Sequence, residues 1–93
     1  MKIIWSRRAL HDRDRIYSYI EEDDPSAALA LDDFFENRST QLAAHPMLGR
    51  VGRVDGTREL VVHPNYILIY DIADASVRIL RVLHAARQWP PTR

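Results

Sequence analysis

The chain has 93 residues, of which 46% are hydrophobic and 28% charged, so the sequence predicts one folded domain spanning residues 1–93 and excludes a disordered chain. It contains no cysteine, which excludes disulfides and thiolate metal sites, and no stretch suits a signal peptide or a membrane span, so we expect a cytoplasmic protein without membrane contact. The formal net charge of zero divides into −3 for residues 1–46 (six Lys and Arg, nine Asp and Glu) and +3 for residues 47–93 (seven Arg, four Asp and Glu).

The start of the chain predicts a strand followed by a helix. The apolar run from Lys2 to Trp5 indicates the strand, and Ser6 is a suitable cap for the helix. Apolar side chains then recur at helical spacing, with charged side chains available for the side that faces water. The apolar positions are Ala9, Ile16, Tyr19 and Ile20, and the water-facing positions are Arg8, Asp12, Arg15 and Glu22.

A second helix is predicted after the acidic run from Glu21 to Asp24. Asp24-Pro25 is a typical helix start, where negative charge is favourable, so the acidic run is better explained as a helix junction than as a metal site. The helix should end near Ala44, because His45-Pro46 follows it. Its apolar stripe comprises Ala27, Ala28, Leu31, Phe34, Phe35 and Leu42.

From Met47 onward the apolar pattern changes to that of strands and turns. The predicted strands cover Arg50 to Val54, 58–63, 66–72 and 77–83, with a hairpin turn at Asp55-Gly56. A strand, two helices and then an antiparallel meander predict an α+β fold of two layers, in which the helices cover one face of a single sheet.

Three groups of residues along the chain carry a family resemblance. They are Trp5-Ser6 with the first helical pattern, Pro25 and Ala27-Ala28; Gly49-Arg50, Gly52-Arg53-Val54 and Gly56 to Leu60; and Tyr66, Tyr70, Val82-Leu83-His84, Arg87 and Trp89-Pro90. In that order they resemble the helical hairpin, the segment entering the sheet, and the last strands and tail of the RelE/ParE toxin superfamily, with the ParE branch most similar. No single group is specific, but together they extend over nearly the whole chain.

The resemblance implies the toxin of a type II toxin-antitoxin system, without a cofactor. It implies a hetero-oligomeric complex with a cognate antitoxin, either ParD-like or RelB-like. ParE-like members inhibit DNA gyrase without established catalytic chemistry, whereas RelE-like members cleave mRNA on the ribosome, and one fold hosts both activities. A non-toxic protein-binding module is the alternative from another class. The four histidines have no metal-ligand spacing, so no metal is expected.

Cleavage of RNA without a metal needs a general base, a general acid and a cation for the charge on the phosphorane. The candidates are His84 and Glu59 as acid or base, with Arg53, Arg58 and Arg81 as phosphate clamps. RNA-cleaving relatives commonly have a tyrosine near the C terminus, whereas this chain has none after Tyr70. Arg81 and His84 should also face opposite sides of a regular strand. A bulge, or a strand that ends before His84, could still bring the two side chains together. Both departures nevertheless favour the gyrase inhibitor.

Residues expected to contact the target come from the arginine-rich second half of the chain. Arginine makes bidentate contacts with phosphate or carboxylate, which suits an acidic or nucleic-acid partner. Simpler structural explanations remain open: His84 as a strand-end residue, Arg58-Glu59 as an exposed cross-strand pair, and Trp89 as the cover of a sheet edge. The candidate target-binding residues are Arg50, Arg53, Arg58, Arg81, His84, Arg87 and Trp89.

Overall fold

The structure, a computed structural model, describes residues 1–86 and 89–90. Within these residues, two helices pack on a sheet of five strands, which confirms the predicted α+β fold. The elements in chain order are β1 (Lys2–Trp5), α1 (Arg7–Glu21), α2 (Pro25–Ala44), β2 (Arg50–Val51), β3 (Arg58–His63), β4 (Tyr66–Ala73) and β5 (Ser76–His84). In this part of the chain neither the length nor the apolar content of any helix would allow it to cross a membrane.

The sheet has the strand order β1-β5-β4-β3-β2. Strands β2 to β5 form the predicted antiparallel meander. β1 pairs in parallel with the first part of β5, so that Lys2 lies opposite Ser76 and Trp5 opposite Ile79. The sequence pattern did not predict this pairing, because the apolar run of a short strand does not indicate which distant strand it joins.

Both helices begin where the sequence predicts. The Ser6 hydroxyl accepts a hydrogen bond from the Ala9 N–H at 3.0 Å, and the Asp24 carboxylate accepts one from the Ala27 N–H at 3.1 Å. Each side chain thereby satisfies a backbone donor that has no partner within its own helix. Pro25 occupies the first turn of α2, where a missing N–H costs nothing. The acidic run therefore joins two helices, as expected.

The main core lies between the helices and one face of the sheet. Ala9 of α1 and Phe35 and Leu42 of α2 are buried there, and the strands contribute Leu60, Val62, Leu68, Tyr70, Val77, Ile79 and Val82. Three predicted apolar positions are exposed instead of lying in the core: Tyr19 is 75% exposed, Phe34 is 41% exposed, and Ala27 is exposed as well. All three line an open groove or the smaller cavity beside it.

A second and smaller cluster covers the opposite face of the sheet. Ile67, Ile69 and Leu83 are buried in it, and Trp89 packs against them. Successive side chains of a strand point to opposite faces, so this cluster faces away from the helices. We call the sheet surface around Ile67, Ile69 and Leu83 the helix-free face. Trp89 therefore covers a face of the sheet rather than an edge.

The strand predicted from Arg50 to Val54 is wrong in its extent, because β2 contains only Arg50–Val51. The chain leaves the sheet at Gly52, whose N–H donates to the Thr57 carbonyl at 2.8 Å. It then reverses direction at the predicted turn, where Gly56 has a φ of +81° that favours glycine. The segment between β2 and β3 is therefore a loop that returns on itself. Arg53 lies in this loop, and Arg50 lies just before it in β2.

Candidate functional site

The segment from Gly49 to Arg53, which includes β2, is fastened to the rest of the sheet partly through Tyr70. The buried Tyr70 hydroxyl donates to the Pro46 carbonyl at 2.7 Å and accepts from the Gly49 N–H at 2.9 Å. Burial raises the pKa of Tyr70, so the hydroxyl keeps the proton that it donates. A Cβ atom at Gly49 would lie 2.8 Å from the Tyr70 hydroxyl oxygen, so only glycine allows this approach.

Arg58 and Glu59 hold the same segment from opposite faces of β3. Arg58 Nη1 donates to the Gly49 carbonyl at 2.7 Å, whereas the Glu59 carboxylate accepts from the backbone N–H of Arg53 at 3.1 Å. The interpretation of Arg58-Glu59 as an exposed cross-strand pair is therefore wrong. Neighbouring side chains on a strand point to opposite faces, and each of these two has its own partner.

The buried Glu59 carboxylate is the centre of a charge cluster on the helix-free face. Its side chain is 1% exposed and accepts hydrogen bonds from Arg50 Nη2 at 3.0 Å and from Arg53 Nη2 at 3.3 Å. Burial alone would raise the pKa of Glu59, but hydrogen bonds from the Arg53 backbone and the Arg50 side chain outweigh it and lower that pKa. Glu59 is therefore ionised at neutral pH and engaged by two arginines.

Arg81 is part of the fold rather than an open cation. It is 7% exposed, and its Nε and Nη2 atoms donate to the two oxygens of Asp12 at 2.8 and 3.1 Å. Asp12 also accepts from the Val82 N–H at 2.9 Å, so it is not on the water-facing side of α1 as predicted. This bidentate pair joins α1 to the part of β5 that β1 leaves unpaired. Because Arg81 is 7% exposed and Asp12 engages two of its nitrogens, it presents little surface to a phosphate.

His84 lies on the other face of β5 from Arg81. It is opposite Tyr66, which packs on the helix side, whereas Arg81 is opposite Ile69 of the helix-free face. The predicted separation of Arg81 and His84 is thus confirmed. The His84 ring meets the Tyr66 ring edge-on at 5.3 Å between centroids, and its Nδ1 accepts from the Ala86 N–H at 3.1 Å.

His84 borders a groove with a volume of about 740 Å³. The groove lies between α1, the start of α2 and the strand ends near Tyr66 and His84. Its lining includes the apolar side chains Ile16, Tyr19, Ile20, Leu31, Tyr66 and Val82, with Arg15, His63, Asn65 and His84 among its polar side chains. A smaller cavity along α2, which shares Leu31 and His63, extends to Phe34.

Apart from Arg58 and Arg81, which are held by Gly49 and Asp12, the structure separates the candidate residues into two places. Arg50, Arg53, Glu59 and Trp89 meet on the helix-free face, where the Trp89 carbonyl accepts from Arg53 Nη1 at 3.4 Å. His84 lies in the groove on the opposite side. Arg87, another candidate, lies outside the described residues. Within residues 1–86 and 89–90, no three metal-ligating side chains form a group that could hold an ion.

Sequence reasoning missed Asp12 and the central place of Glu59. Asp12 and Arg81 are 69 positions apart, and no local pattern relates them. Glu59 did have one usable signal, because strand parity places it on the face opposite Arg58. Its burial, however, follows from the fold of the segment that carries Arg50 and Arg53.

Proteins of similar sequence cover nearly the same length as this chain. The protein Y4kP of Sinorhizobium fredii is 44% identical over 90 residues, which are 96% of this chain and 93% of the relative. Toxin RelE2 of Caulobacter vibrioides is 38% identical over 86 residues, which are 92% of this chain and 97% of the relative.

Solved structures resemble the fold to different degrees. A chain of the chromosomal ParDE TA system from P. aeruginosa superposes with a TM-score of 0.81 at 25% identity, covering 90% of this chain and 95% of that one. The YoeB dimer from Staphylococcus aureus gives a TM-score of 0.60 at 15% identity, covering 87% and 92%, which is a likeness of fold alone. Since the family model described as ParE toxin of type II toxin-antitoxin system, parDE, matches residues 3–89, this chain belongs to the ParE toxin family.

Proposed function

We propose that this toxin inhibits DNA gyrase through a protein contact, and that a cognate antitoxin neutralises it in the cytoplasm. In this proposal, residues 1–93 act as one toxin domain. The observation that carries it is the separation of Glu59 from His84. A general base and a general acid must both reach the reacting ribose and phosphate. Here Glu59 is buried under two arginines on the helix-free face, whereas His84 lies in the groove on the other side.

The proposed gyrase contact uses the exposed arginines of the helix-free face. The side chains of Arg50 and Arg53 are 58% and 47% exposed, and Trp89 lies beside them. Arg81 is assigned to the fold, because Asp12 engages its guanidinium. Ribosome-dependent cleavage of mRNA remains the second candidate, because the relative from Caulobacter vibrioides is named RelE2 and His84 borders an open groove.

The test of this proposal measures both targets with the purified full chain. We expect the toxin to inhibit supercoiling by purified gyrase and to leave mRNA intact on ribosomes. Replacing Arg50 and Arg53 together by glutamine should weaken the inhibition, because the charged contact is lost. Arg8→Gln is the control, since Arg8 is an exposed arginine of α1, in the layer on the other side of the sheet. Cleavage of mRNA with normal supercoiling would replace the gyrase proposal with the ribonuclease.

The antitoxin is proposed to bind the groove between the helices and the sheet. The groove presents apolar side chains to solvent, including the 75% exposed Tyr19. Exposed apolar patches bordered by polar residues are typical of protein-binding surfaces, and an amphipathic segment can cover them. Arg15 at the border of this groove would pair with an acidic residue of the segment.

Tyr19→Ala should weaken the complex with the product of the adjacent gene by about tenfold or more, because a large aromatic anchor at an interface typically contributes that much. Leu10→Ala is the control, since Leu10 is also on α1 and 50% exposed but is not among the groove residues. Calorimetry of the two variants measures the difference. Equal affinities for Tyr19→Ala and Leu10→Ala would place the antitoxin elsewhere on the toxin.

A further inference from the structure

Two arginines on the helix-free face share one buried carboxylate. The cluster therefore contains one cation more than is needed to neutralise that carboxylate. The Glu59 side chain is 1% exposed, whereas those of Arg50 and Arg53 are 58% and 47% exposed. Burying a carboxylate without partners is costly, but one arginine and one backbone N–H would compensate most of that cost. The second guanidinium therefore leaves a surplus positive charge at the surface.

The shared carboxylate also fixes the arrangement of the two guanidinium groups. Glu59 Oε1 accepts from Arg50 Nη2 at 3.0 Å and from Arg53 Nη2 at 3.3 Å, so both groups converge on a single oxygen. Glu59 Oε2 holds the Arg53 backbone at 3.1 Å. A guanidinium has five N–H donors, and the contacts of these two arginines with the described residues leave donors on both that can face solvent.

We propose that Glu59 is a positioning residue that holds Arg50 and Arg53 as a receptor for a carboxylate side chain of a partner protein. The Trp89 carbonyl, 3.4 Å from Arg53 Nη1, indicates that an oxygen acceptor fits beside this pair. The inference rests on the proposed function in one respect: it takes the helix-free face as the surface that meets a protein.

Charge favours a protein carboxylate over a nucleic-acid phosphate at this receptor. The whole chain has a formal net charge of zero and a pI near 6.9. Domains that bind nucleic acid through phosphates are typically strongly basic, because many cations must replace the counterions of the polyanion. A single surplus charge instead matches a single carboxylate, which arginine binds in a planar, bidentate manner.

The experiment follows the side-chain Nε–Hε signals of the arginines by ¹⁵N NMR in the purified full chain. N-acetyl-glutamate methylamide is the carboxylate probe, and dimethyl phosphate is the phosphodiester probe, each added at constant ionic strength. We expect saturable shifts of the Arg50 and Arg53 signals with the carboxylate probe and weaker binding of dimethyl phosphate. Absence of saturable shifts would overturn the receptor, and equal or tighter binding of dimethyl phosphate would overturn the protein carboxylate as its ligand.

The positioning role is tested with two variants of Glu59. Glu59→Gln makes the site more positive, so charge attraction alone predicts tighter binding of the carboxylate probe. If Glu59 positions the arginines, the variant should instead bind the probe about threefold or more weakly, because the side chains of Arg50 and Arg53 regain their freedom. Glu59→Asp keeps the charge and should bind better than Glu59→Gln. A role in packing alone predicts the reverse order, because glutamine has the shape of glutamate. Tighter or unchanged binding by Glu59→Gln would overturn the positioning role.

Two further variants keep the test decisive. Arg78→Gln should bind the carboxylate probe as the unmodified chain does, because Arg78 pairs with Asp71 outside the receptor. If Glu59→Gln does not fold, the double variant Arg50→Lys with Arg53→Lys keeps the charge and Glu59 but lacks the planar fork, and should lose the binding. Retained binding by that variant would overturn the receptor. No gyrase is present in these measurements, so their outcome is independent of the gyrase assay.

Discussion

Replacing Asp12 by alanine should lower the free energy of unfolding by about 3–5 kcal/mol, because it leaves the buried Arg81 guanidinium without its carboxylate. The two side chains are only 11% and 9% exposed. The Val82 N–H also loses its acceptor, because β1 does not extend far enough to pair with this part of β5. Urea denaturation of the variant and the unmodified chain measures the difference, provided that the slope of the transition is unchanged.

The matched control is Asp71→Ala, which removes the partner of Arg78 from another arginine-carboxylate pair of the sheet. The Arg78 side chain is 49% exposed, so water replaces the lost contact and the stability should change little. Asp12→Asn keeps the shape of the side chain and should be less destabilising than Asp12→Ala. Similar losses for Asp12→Ala and Asp71→Ala would show that burial does not give the Asp12–Arg81 pair its importance.

Local features of this fold could be predicted from the sequence, because their causes are local. Ser6 and Asp24 each cap a helix whose first turn lies within three residues of them. The strands β3 to β5 follow the alternation of apolar residues between turn signals. The limits of these elements therefore differ little from the prediction.

Features that depend on distant residues could not be predicted. The parallel pairing of β1 with β5 and the Asp12–Arg81 pair both join the start of the chain to its last strand. A charged residue at helical spacing is usually solvated, so the pattern around Asp12 indicated the wrong side of α1. Glu59 was misinterpreted for another reason: the segment that covers it lies only six to nine residues earlier, but the pattern of a strand does not reveal how the preceding loop folds back over it.

The mechanism of toxicity can be decided by replacing His84 with glutamine. Glutamine keeps a hydrogen-bonding side chain of similar size but cannot act as a general acid or base near neutral pH. A nuclease that uses His84 should lose about 10² to 10⁴-fold in rate, and with it nearly all growth arrest. A gyrase inhibitor depends on several contacts across a surface, so we expect His84→Gln to keep most of its toxicity.

His63→Gln is the matched control for His84→Gln. Both histidines border the groove, and they lie opposite Tyr66 of β4 from the two strands that flank it, β3 and β5. The Nδ1 atom of each accepts a backbone N–H at 3.1 Å, from Asn65 for His63 and from Ala86 for His84. Growth arrest after induction, supercoiling by gyrase and ribosome-dependent mRNA cleavage should be measured for both variants. If both lose the same small part of the activity, the groove has a structural role. If folded His84→Gln alone loses growth arrest together with mRNA cleavage, the toxin is a ribonuclease and the gyrase proposal is wrong. The surroundings of the two histidines are so similar that a loss confined to His84 would indicate a role in proton transfer.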